Sequence, residues 1–183
     1  MFGGFNGLDI FIFVIVIVGI AVGFTQGLLR QVIGLAALYI GAILGAQYYS
    51  VLSGFLHFIF SSVPLKFMNA ISFFIIVGAS ALVVDLLARD AYQSTKLQLL
   101  PIVDHLGGAI LGLVTPLITI TIVIPVLTFA TGESWPLLEQ TRFITIGALQ
   151  TSRLLPLFDH FKPLILNAVS PWLPAGLPSV FNF

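Results

Sequence analysis

The sequence lacks cysteine altogether and carries very little charge. Its 183 residues contain seven Lys or Arg and seven Asp or Glu, so charged residues make up 8% of the chain, against about 25% in an average soluble domain. The absence of cysteine excludes a disulfide framework, a zinc–thiolate site and a cysteine nucleophile. The scarcity of charge excludes a soluble enzyme, a nucleic-acid-binding protein and a disordered chain, because each of these needs charged side chains on its surface.

Hydrophobic side chains form 58% of the sequence instead. About 20 consecutive apolar residues cross a bilayer core that is ~30 Å thick. Windows of this kind predict transmembrane helices at about residues 8–29, 31–50, 65–87 and 101–130. The first is interpreted as a retained helix rather than a signal peptide, because no Lys or Arg precedes it. The predicted fold class is an all-α integral membrane protein with short interfacial amphipathic helices, in which residues 1–132 form a four-helix transmembrane domain.

The segment after the second span predicts a short helix in the membrane interface. The polar run from Gln47 to Ser50 includes two tyrosines, which is typical of a helix end at headgroup depth. Apolar side chains then recur at helical spacing through residues 51–60, while Ser53 and His57 face elsewhere. We therefore expect residues 51–60 to form a separate helix that lies on the membrane.

The fourth span contains two internal prolines. Pro116 and Pro125 are expected to kink this helix. Transmembrane helices tolerate such kinks when hydroxyl groups or neighbouring helices satisfy the freed carbonyls. The hydroxyls expected to do so belong to Thr115, Thr119 and Thr121.

Residues 133–183 predict a proline-rich tail on the membrane surface. They hold six of the ten prolines and no window long enough to cross a bilayer. Within them, one apolar stripe predicts an amphipathic helix. The stripe consists of Leu154, Leu157, Phe158, Phe161, Ile165 and Ala168. Because few Lys or Arg accompany it, attraction to anionic lipid is weak, and we expect the apolar face to rest on the bundle or on a partner.

The charges between the spans favour an orientation with both termini outside the cytoplasm. Four spans place two of the connections on one side, and this side carries Arg30, Arg89 and Lys96. The other side carries Lys66 and Arg142. Cytoplasmic loops have an excess of Lys and Arg, so the first side is predicted to be cytoplasmic.

Each predicted span carries small residues at spacings of three or four, which places them on one helix face. Transmembrane helices associate through such faces because small side chains let their backbones approach. The glycines assigned to helix packing are Gly19, Gly23, Gly27, Gly41, Gly45, Gly78, Gly108 and Gly112. This pattern predicts a compact bundle, and the alternative is that glycines and threonines line a substrate path between helices.

A candidate ion cluster is predicted at one membrane surface, formed by Arg30, Asp85, Arg89 and Asp104. Asp85 lies one turn before Arg89, and at mid-bilayer its charge would cost ~2.5–3.5 kcal/mol, so it should face a partner. Asp104 lies in the first turn of its helix, where the helix dipole favours an anion. Either the cluster ties helix ends together, or Asp85 or Asp104 is a proton or cation site in a transporter. Asp9 is expected at the opposite surface as an N-terminal helix charge.

The sequence predicts no catalytic, cofactor-binding or metal-binding residues. His57, His105 and His160 are scattered and match neither a metalloprotease motif nor the spacing of zinc ligands. Asp85 and Asp104 could be imagined as the acid pair of an intramembrane protease, but each has a role at a helix end. We therefore expect a protein that is not an enzyme and needs no cofactor.

Two segments resemble the colicin V production protein (CvpA) family of bacterial inner-membrane proteins. Residues 8–35 are similar to the family's Leu-Asp start, its glycines spaced by four and the Arg that opens its second helix, and they carry Leu8, Asp9, Gly19, Gly23, Gly27 and Arg30. Residues 100–117 are similar to the entry to the family's last helix, and they carry Val103, Asp104, Gly108 and Gly112. The resemblance implies a multi-pass protein of the bacterial inner membrane that is linked to colicin V production, toxin biosynthesis and envelope integrity. It supplies no catalytic residues.

The residues and the resemblance together lead us to expect a non-enzymatic scaffold or accessory protein in envelope maintenance or in toxin and colicin secretion. One alternative is a small accessory subunit of a larger membrane complex. Another is a channel or proton-coupled transporter that uses Asp85. The expected partners are the lipid bilayer and other membrane proteins or further copies of the chain, and nucleic acid is not among them.

Overall fold

Helices account for every regular element in the computed structural model, which describes residues 4–94, 101–135 and 138–172. They are α1 (Gly7–Gln26), α2 (Leu28–Ile59), α3 (Leu65–Ser94), α4 (Pro101–Thr131), α5 (Glu139–Thr151), α6 (Leu155–Val169) and a closing 3-10 turn, Ser170–Trp172. The helices α1 to α4 are long and apolar enough to cross a membrane, so the predicted fold class and number of spans are confirmed. Lys96 and residues 173–183 of the predicted tail lie outside the described residues.

The first two spans are separated by a single glycine. α1 begins at a capping box, in which the Asn6 side chain accepts a hydrogen bond from the Asp9 backbone N–H and the Asp9 carboxylate accepts one from the Asn6 N–H. α1 ends at Gly27, whose φ of +81° lies in the left-handed region that favours glycine. The boundary predicted near residue 30 is therefore at Gly27, because the break depends on this dihedral angle rather than on the next charge.

α2 continues without a break to Ile59, and residues 51–59 belong to it in place of the separate helix predicted for residues 51–60. Of the four residues that suggested a helix end, Gln47, Tyr48 and Ser50 are exposed, and only Tyr49 is buried. Tyr49 packs in the core, and Ser53 is buried with its hydroxyl 2.5 Å from Oδ1 of Asn69 in α3. At 1.5 Å per residue, the 32 residues of α2 measure about 48 Å. This length exceeds the ~30 Å hydrocarbon core, so α2 extends beyond it or is tilted.

α1 and α4 pack against each other through their backbones. A Cβ added to Gly19 would lie 2.5 Å from the carbonyl oxygen of Gly112, and one added to Gly23 would overlap the carbonyl oxygen of Gly108. Each of these oxygens therefore faces a Cα hydrogen of the opposite helix, which is the arrangement of weak Cα–H···O hydrogen bonds. The structure thus brings four of the predicted packing glycines together at one antiparallel helix contact.

The internal prolines do not interrupt α4, which stays helical throughout. Pro116 removes the N–H that would bond the carbonyl of Gly112, and this carbonyl is the one that faces Gly19 of α1. The threonines predicted to satisfy freed carbonyls bond other ones. Thr115, Thr119 and Thr121 donate to the carbonyl oxygens of Leu111, Thr115 and Leu117.

α3 packs along α2, where two glycines make room for it. The ring of Phe73 is fully buried, 3.0 Å from the position of a Cβ on Gly45, and Gly41 lies beside the backbone of Val77. Gly78 faces open space instead, since a Cβ there would meet no atom within 4 Å. Successive helical residues point about 100° apart, so Val77 and Gly78 cannot both face α2. The packing role predicted for Gly78 has no counterpart in the described part of the bundle.

α4 connects the two helix pairs because it contacts α1 on one side and α2 and α3 on the other. Its fully buried Val126 belongs to the larger apolar core, which also contains Phe73 of α3. Its Ile120 belongs to a smaller core with Ile12 of α1 and Phe158 of α6.

The tail residues that follow form α5, which the apolar pattern did not predict, and α6, which it did. Phe158 and Ile165 of the predicted stripe are buried, together with Val169, so this side of α6 rests on the bundle. Leu157 and Phe161 of the same stripe are 54% and 44% exposed. The stripe is therefore divided between the bundle and the outer surface of α6.

Replacing Gly23 with Ala should destabilise the bundle, because the new methyl group would overlap the carbonyl oxygen of Gly108. We expect a loss of about 1–3 kcal/mol, which is typical of overpacking, measured by thermal or denaturant unfolding in detergent. Gly78→Ala is the matched control, because its methyl group enters open space and should stabilise the helix by ~0.5–1 kcal/mol. Equal stability of the two variants would contradict the backbone contact between α1 and α4.

Candidate functional site

Asp104, in the first turn of α4, caps a different helix. Its Oδ1 accepts a hydrogen bond of 2.8 Å from the backbone N–H of Leu28, at the start of α2. The first N–H groups of a helix have no partner within it, and a carboxylate placed there also meets the positive end of the helix dipole. The residue before Leu28 is Gly27, which has no side chain to act as a cap. α4 therefore supplies the cap that α2 cannot make for itself.

The turn between α1 and α2 is fitted closely to this end of α4. A Cβ on Gly27 would overlap the Asp104 carboxylate, so a side chain there would displace this carboxylate, and the backbone angle of Gly27 also favours glycine. The next residue, His105, has its Nδ1 2.7 Å from the carbonyl oxygen of Phe24 and its ring stacked on the Phe24 ring, with centroids 5.1 Å apart. Two consecutive residues of α4 thus hold the turn between α1 and α2.

A groove of about 250 Å³ lies beside this turn, between α2 and α3. In it, Nη2 of Arg30 and Oδ1 of Asp85 lie 3.9 Å apart, and the two side chains are 48% and 39% exposed. The amides of Gln26 and Gln31 also line the groove, and Gln31 is largely buried. Small residues complete the wall, including Gly34, Ala37 and Ala81. The groove thus combines a cation, an anion and two amides with an apolar floor.

The structure divides the predicted ion cluster. Arg30 and Asp85 lie together in the groove, whereas the Asp104 carboxylate lies against the turn between α1 and α2. The side chain of Arg89 lies outside the described part of α3, so its contact with Asp85 stays a prediction. An exposed ion pair typically contributes ~0–1 kcal/mol. The Arg30–Asp85 pair is therefore a minor part of what holds α3 to α2.

Asp9, at the other end of α1, is the only charged side chain that is buried in the described residues, at 1% exposure. Its carboxylate accepts hydrogen bonds from the Ser152 hydroxyl at 2.5 Å and from the backbone N–H groups of Arg153 and Leu154 at 3.2 and 3.1 Å. A buried carboxylate is stable only where donors replace the water it has lost. Asp9 therefore joins the start of α1 to the turn between α5 and α6.

Sequence reasoning gave Asp9 a role only at its own helix. The available signal was Asn6 followed three residues later by Asp9, which is the spacing of a capping box. Nothing in that spacing indicates a partner 143 residues away. Asn6 is used in the same way, since its Nδ2 donates to the carbonyl oxygen of Ala148 at 2.6 Å and to the Thr151 hydroxyl at 2.9 Å.

The far end of α6 is bonded to α2. The hydroxyl of Tyr39 donates to the carbonyl oxygen of Ala168, and Nε1 of Trp172 donates to the Tyr39 hydroxyl, both at 2.8 Å. Nε2 of Gln47 donates to the Trp172 carbonyl oxygen at 2.6 Å. With Asp9 near its start, α6 is therefore held at both ends across α4.

Lys162 lies midway along α6 and lines a small cavity with Thr121 of α4 and Ala42 of α2. Burial lowers the pKa of the Lys162 ammonium, and the nearby Asp159 carboxylate offsets part of that change. The unfolded chain therefore binds more protons than the folded chain between the lowered pKa and the ordinary value of 10.5. Stability rises with pH through this window as the cost of holding a charge in this partly buried position disappears.

Asp9→Asn should loosen the α5–α6 turn, because a neutral amide cannot accept the same set of hydrogen bonds. We expect a loss of about 1.5–3 kcal/mol, the range for hydrogen bonds to charged groups, with faster hydrogen–deuterium exchange confined to the region of residues 148–158. Asn167→Ala, on the exposed side of α6, is the control and should stay within about 0.5 kcal/mol. Unchanged exchange in Asp9→Asn would show that the carboxylate does not hold the turn.

Lys162→Met should be more stable than the unmodified protein at neutral pH, because it keeps the apolar stem and removes the partly buried ammonium. The difference between the two proteins should shrink as the pH rises toward 10.5, where the ammonium loses its charge. Thermal unfolding of both proteins across this pH range measures the difference. A difference in stability that stays constant with pH would show that the charge of the Lys162 ammonium does not destabilise the folded protein.

The sequence was compared with models of known protein families, with curated proteins and with solved structures. The family model described as "Colicin V production protein" matches residues 8–163, which include the Asp9 contact, the glycine contact of α1 and α4, and the groove. No curated protein and no solved structure matches the chain. Because the family model covers most of the sequence, the chain belongs to the colicin V production protein family.

Proposed function

We propose that this protein is a non-enzymatic scaffold or accessory protein of the bacterial inner membrane that acts in envelope maintenance or in toxin and colicin secretion. One observation carries the proposal. Asp9, the one buried charged side chain among the described residues, accepts hydrogen bonds from the remote turn at Ser152–Leu154. A carboxylate used in this way fixes the relative position of helices. Membership of the colicin V production protein family supports the choice of process.

The proposal that the protein is not an enzyme is supported by the contacts of its acid–base groups. A general acid or base must reach a proton of the substrate. Asp104 instead accepts a hydrogen bond from the Leu28 N–H, and Nδ1 of His105 lies against the Phe24 carbonyl. Both groups are engaged between helices, where they stabilise the turn of α1 and α2.

The proposal includes an orientation with both termini outside the cytoplasm. Arg30 lies at the turn between the first two spans, on the side predicted to be cytoplasmic. At the opposite end of α4, Nζ of Lys66 lies 3.7 Å from a carboxylate oxygen of Glu133, so the positive charge there has a negative neighbour.

A small accessory subunit of a larger membrane complex is a second candidate, and the end of α2 favours it. Val51, Phe55 and Phe58 are 70%, 64% and 87% exposed on this part of the helix. Such a surface suits contact with apolar helices of another membrane protein as well as with lipid. Native mass spectrometry after mild solubilisation from the native membrane tests this candidate. A complex with other polypeptides at fixed stoichiometry would favour it, and a monomer or homo-oligomer alone would remove it.

A channel or proton-coupled transporter is a third candidate, because Asp85 lines the groove between α2 and α3. Its neighbourhood favours the scaffold. Further along the same helix pair, Gly45 packs against the fully buried ring of Phe73, and Gly41 packs against Val77. The helices are therefore in close contact where a path across the membrane would have to continue.

Proton flux into proteoliposomes separates the scaffold from the transporter. The scaffold proposal predicts that vesicles containing the protein take up protons no faster than empty vesicles, and that Asp85→Asn leaves the rate unchanged. Glu133→Gln is the matched control, because its carboxylate lies in an ion pair of similar distance and exposure. A flux that Asp85→Asn abolishes and Glu133→Gln preserves, in vesicles with equal amounts of folded protein, would replace the scaffold with a transporter.

A further inference from the structure

The Arg30–Asp85 groove has properties that helix packing alone does not require. Nη2 of Arg30 and Oδ1 of Asp85 lie 3.9 Å apart. Both side chains are partly exposed, and both line a space of about 250 Å³ together with the amides of Gln26 and Gln31. The two charges are therefore accessible side by side from the groove.

The groove lies at the depth of lipid headgroups. The 20 residues of α1 measure about 30 Å, which equals the thickness of the hydrocarbon core. The turn at Gly27 therefore lies at a membrane surface, and Arg30 is in the first turn of the helix that follows it. Lipid headgroups are present at this depth at high concentration.

The apolar part of the groove leads from this surface toward the hydrocarbon core. Gly34 and Ala37 lie one and two turns beyond Arg30 along α2, and Ala81 faces them from α3. A Cβ on Gly34 would meet no atom within 4 Å, so the space in front of it is open. An acyl chain fits such a floor because its contacts are apolar and need no polar partner.

We infer that this groove binds one zwitterionic phospholipid with a primary ammonium, of the phosphatidylethanolamine class, with its phosphate on Arg30, its ammonium on Asp85 and one acyl chain along Gly34. The argument is charge complementarity. Two carbons separate the phosphate oxygen from the ammonium in this headgroup, so both charges reach a pair of side chains that are 3.9 Å apart. The amides of Gln26 and Gln31 face the remaining headgroup and ester oxygens.

Other abundant headgroups match the groove less well. An anionic phospholipid such as phosphatidylglycerol offers a phosphate to Arg30 but places no cation against Asp85. Phosphatidylcholine carries a quaternary ammonium, which has no N–H to donate to a carboxylate. A charge-assisted N–H···O hydrogen bond is stronger than a neutral one, so the primary ammonium is the feature that the groove selects.

Native mass spectrometry of the full-length protein, delipidated in detergent, tests the inference with three lipids of identical acyl chains. Phosphatidylethanolamine should bind at one molecule per chain, at least about tenfold more tightly than phosphatidylcholine or phosphatidylglycerol, as expected for one added hydrogen bond to a charged group. Equal binding of the three lipids would overturn the inference. Tightest binding of phosphatidylglycerol would also overturn it, because the groove would then recognise phosphate alone.

Charge variants test the proposed ammonium contact and the proposed phosphate contact separately. Asp85→Asn should remove the preference for phosphatidylethanolamine over phosphatidylcholine, whereas Arg30→Gln should weaken all three lipids. The control variants are Lys66→Gln and Glu133→Gln, which alter an ion pair with an N···O distance of 3.7 Å and exposures of 43% and 38%. A preference that survives Asp85→Asn, or that Glu133→Gln removes to the same extent, would overturn the inference.

A steric variant tests the groove without changing its charges. Gly34→Leu should fold, because the position is open, and should reduce phosphatidylethanolamine binding at least about tenfold by displacing two or more buried methylene groups of the acyl chain. Gly54→Leu is the matched control, since it lies on the same helix, outside the residues that line the groove, with no atom within 4 Å of its added Cβ. Equal phosphatidylethanolamine binding by these two variants, with unchanged thermal stability, would place the lipid elsewhere and overturn the inference.

Discussion

In a bilayer, two apolar helices gain little by covering each other's hydrophobic surface, because the surrounding lipid chains are equally apolar. α1 and α4 are held instead by the approach of their backbones, at Gly19 and Gly23 of one helix and Gly108 and Gly112 of the other. This contact fixes the position of both helices along the membrane normal. It brings Asp104 to the turn at Gly27, and it sets the depth at which the start of α1 meets α6. The polar contacts at both ends of α1 depend on it.

The two acids that complete this framework act on helices other than their own. Asp104 belongs to the first turn of α4 and accepts a hydrogen bond from the start of α2. Asp9 belongs to the first turn of α1 and accepts one from Leu154, the residue that precedes α6. In each case a negative charge meets the unbonded N–H groups and the positive dipole of a helix start. A chain with few charged residues can thus fix helix ends without many salt bridges.

The number of spans and the grouping of the glycines could be predicted from the sequence, because both follow from local spacing. Which helix face meets a neighbour could not. Gly41 and Gly78 each belong to a series of small residues spaced by three or four along the sequence, but Gly41 lies against α3 while Gly78 faces open space. The position of polar residues was ambiguous as well, because a polar side chain can face either the membrane interface or a neighbouring helix. Ser53 resembles a residue at the membrane interface, yet its polar partner is Asn69 on the neighbouring helix.

The candidate site was predictable only where it follows from local spacing along the sequence. Charges near helix ends placed Arg30 and Asp85 in one predicted cluster with Arg89 and Asp104, but only the packing of α2 and α3 shows that Arg30 and Asp85 line a common groove. The role of Asp9 was beyond local reasoning. Its donors come from a turn 143 to 145 residues away, which no helical spacing relates to it.

The contact between α1 and α4 joins parts of the chain that are made far apart in time. Gly23 precedes Gly108 by about 85 residues, and a ribosome that adds about 5–20 residues per second needs roughly 4–17 s to make them. During this interval the glycine face of α1 lacks its partner, and the start of α2 lacks the carboxylate of Asp104. α1 must therefore be stable as a single span, which its uninterrupted apolar sequence from Ile10 to Phe24 provides. Assembly of the bundle is completed from the C-terminal side, when α4 enters the membrane and the turn before α6 reaches Asp9.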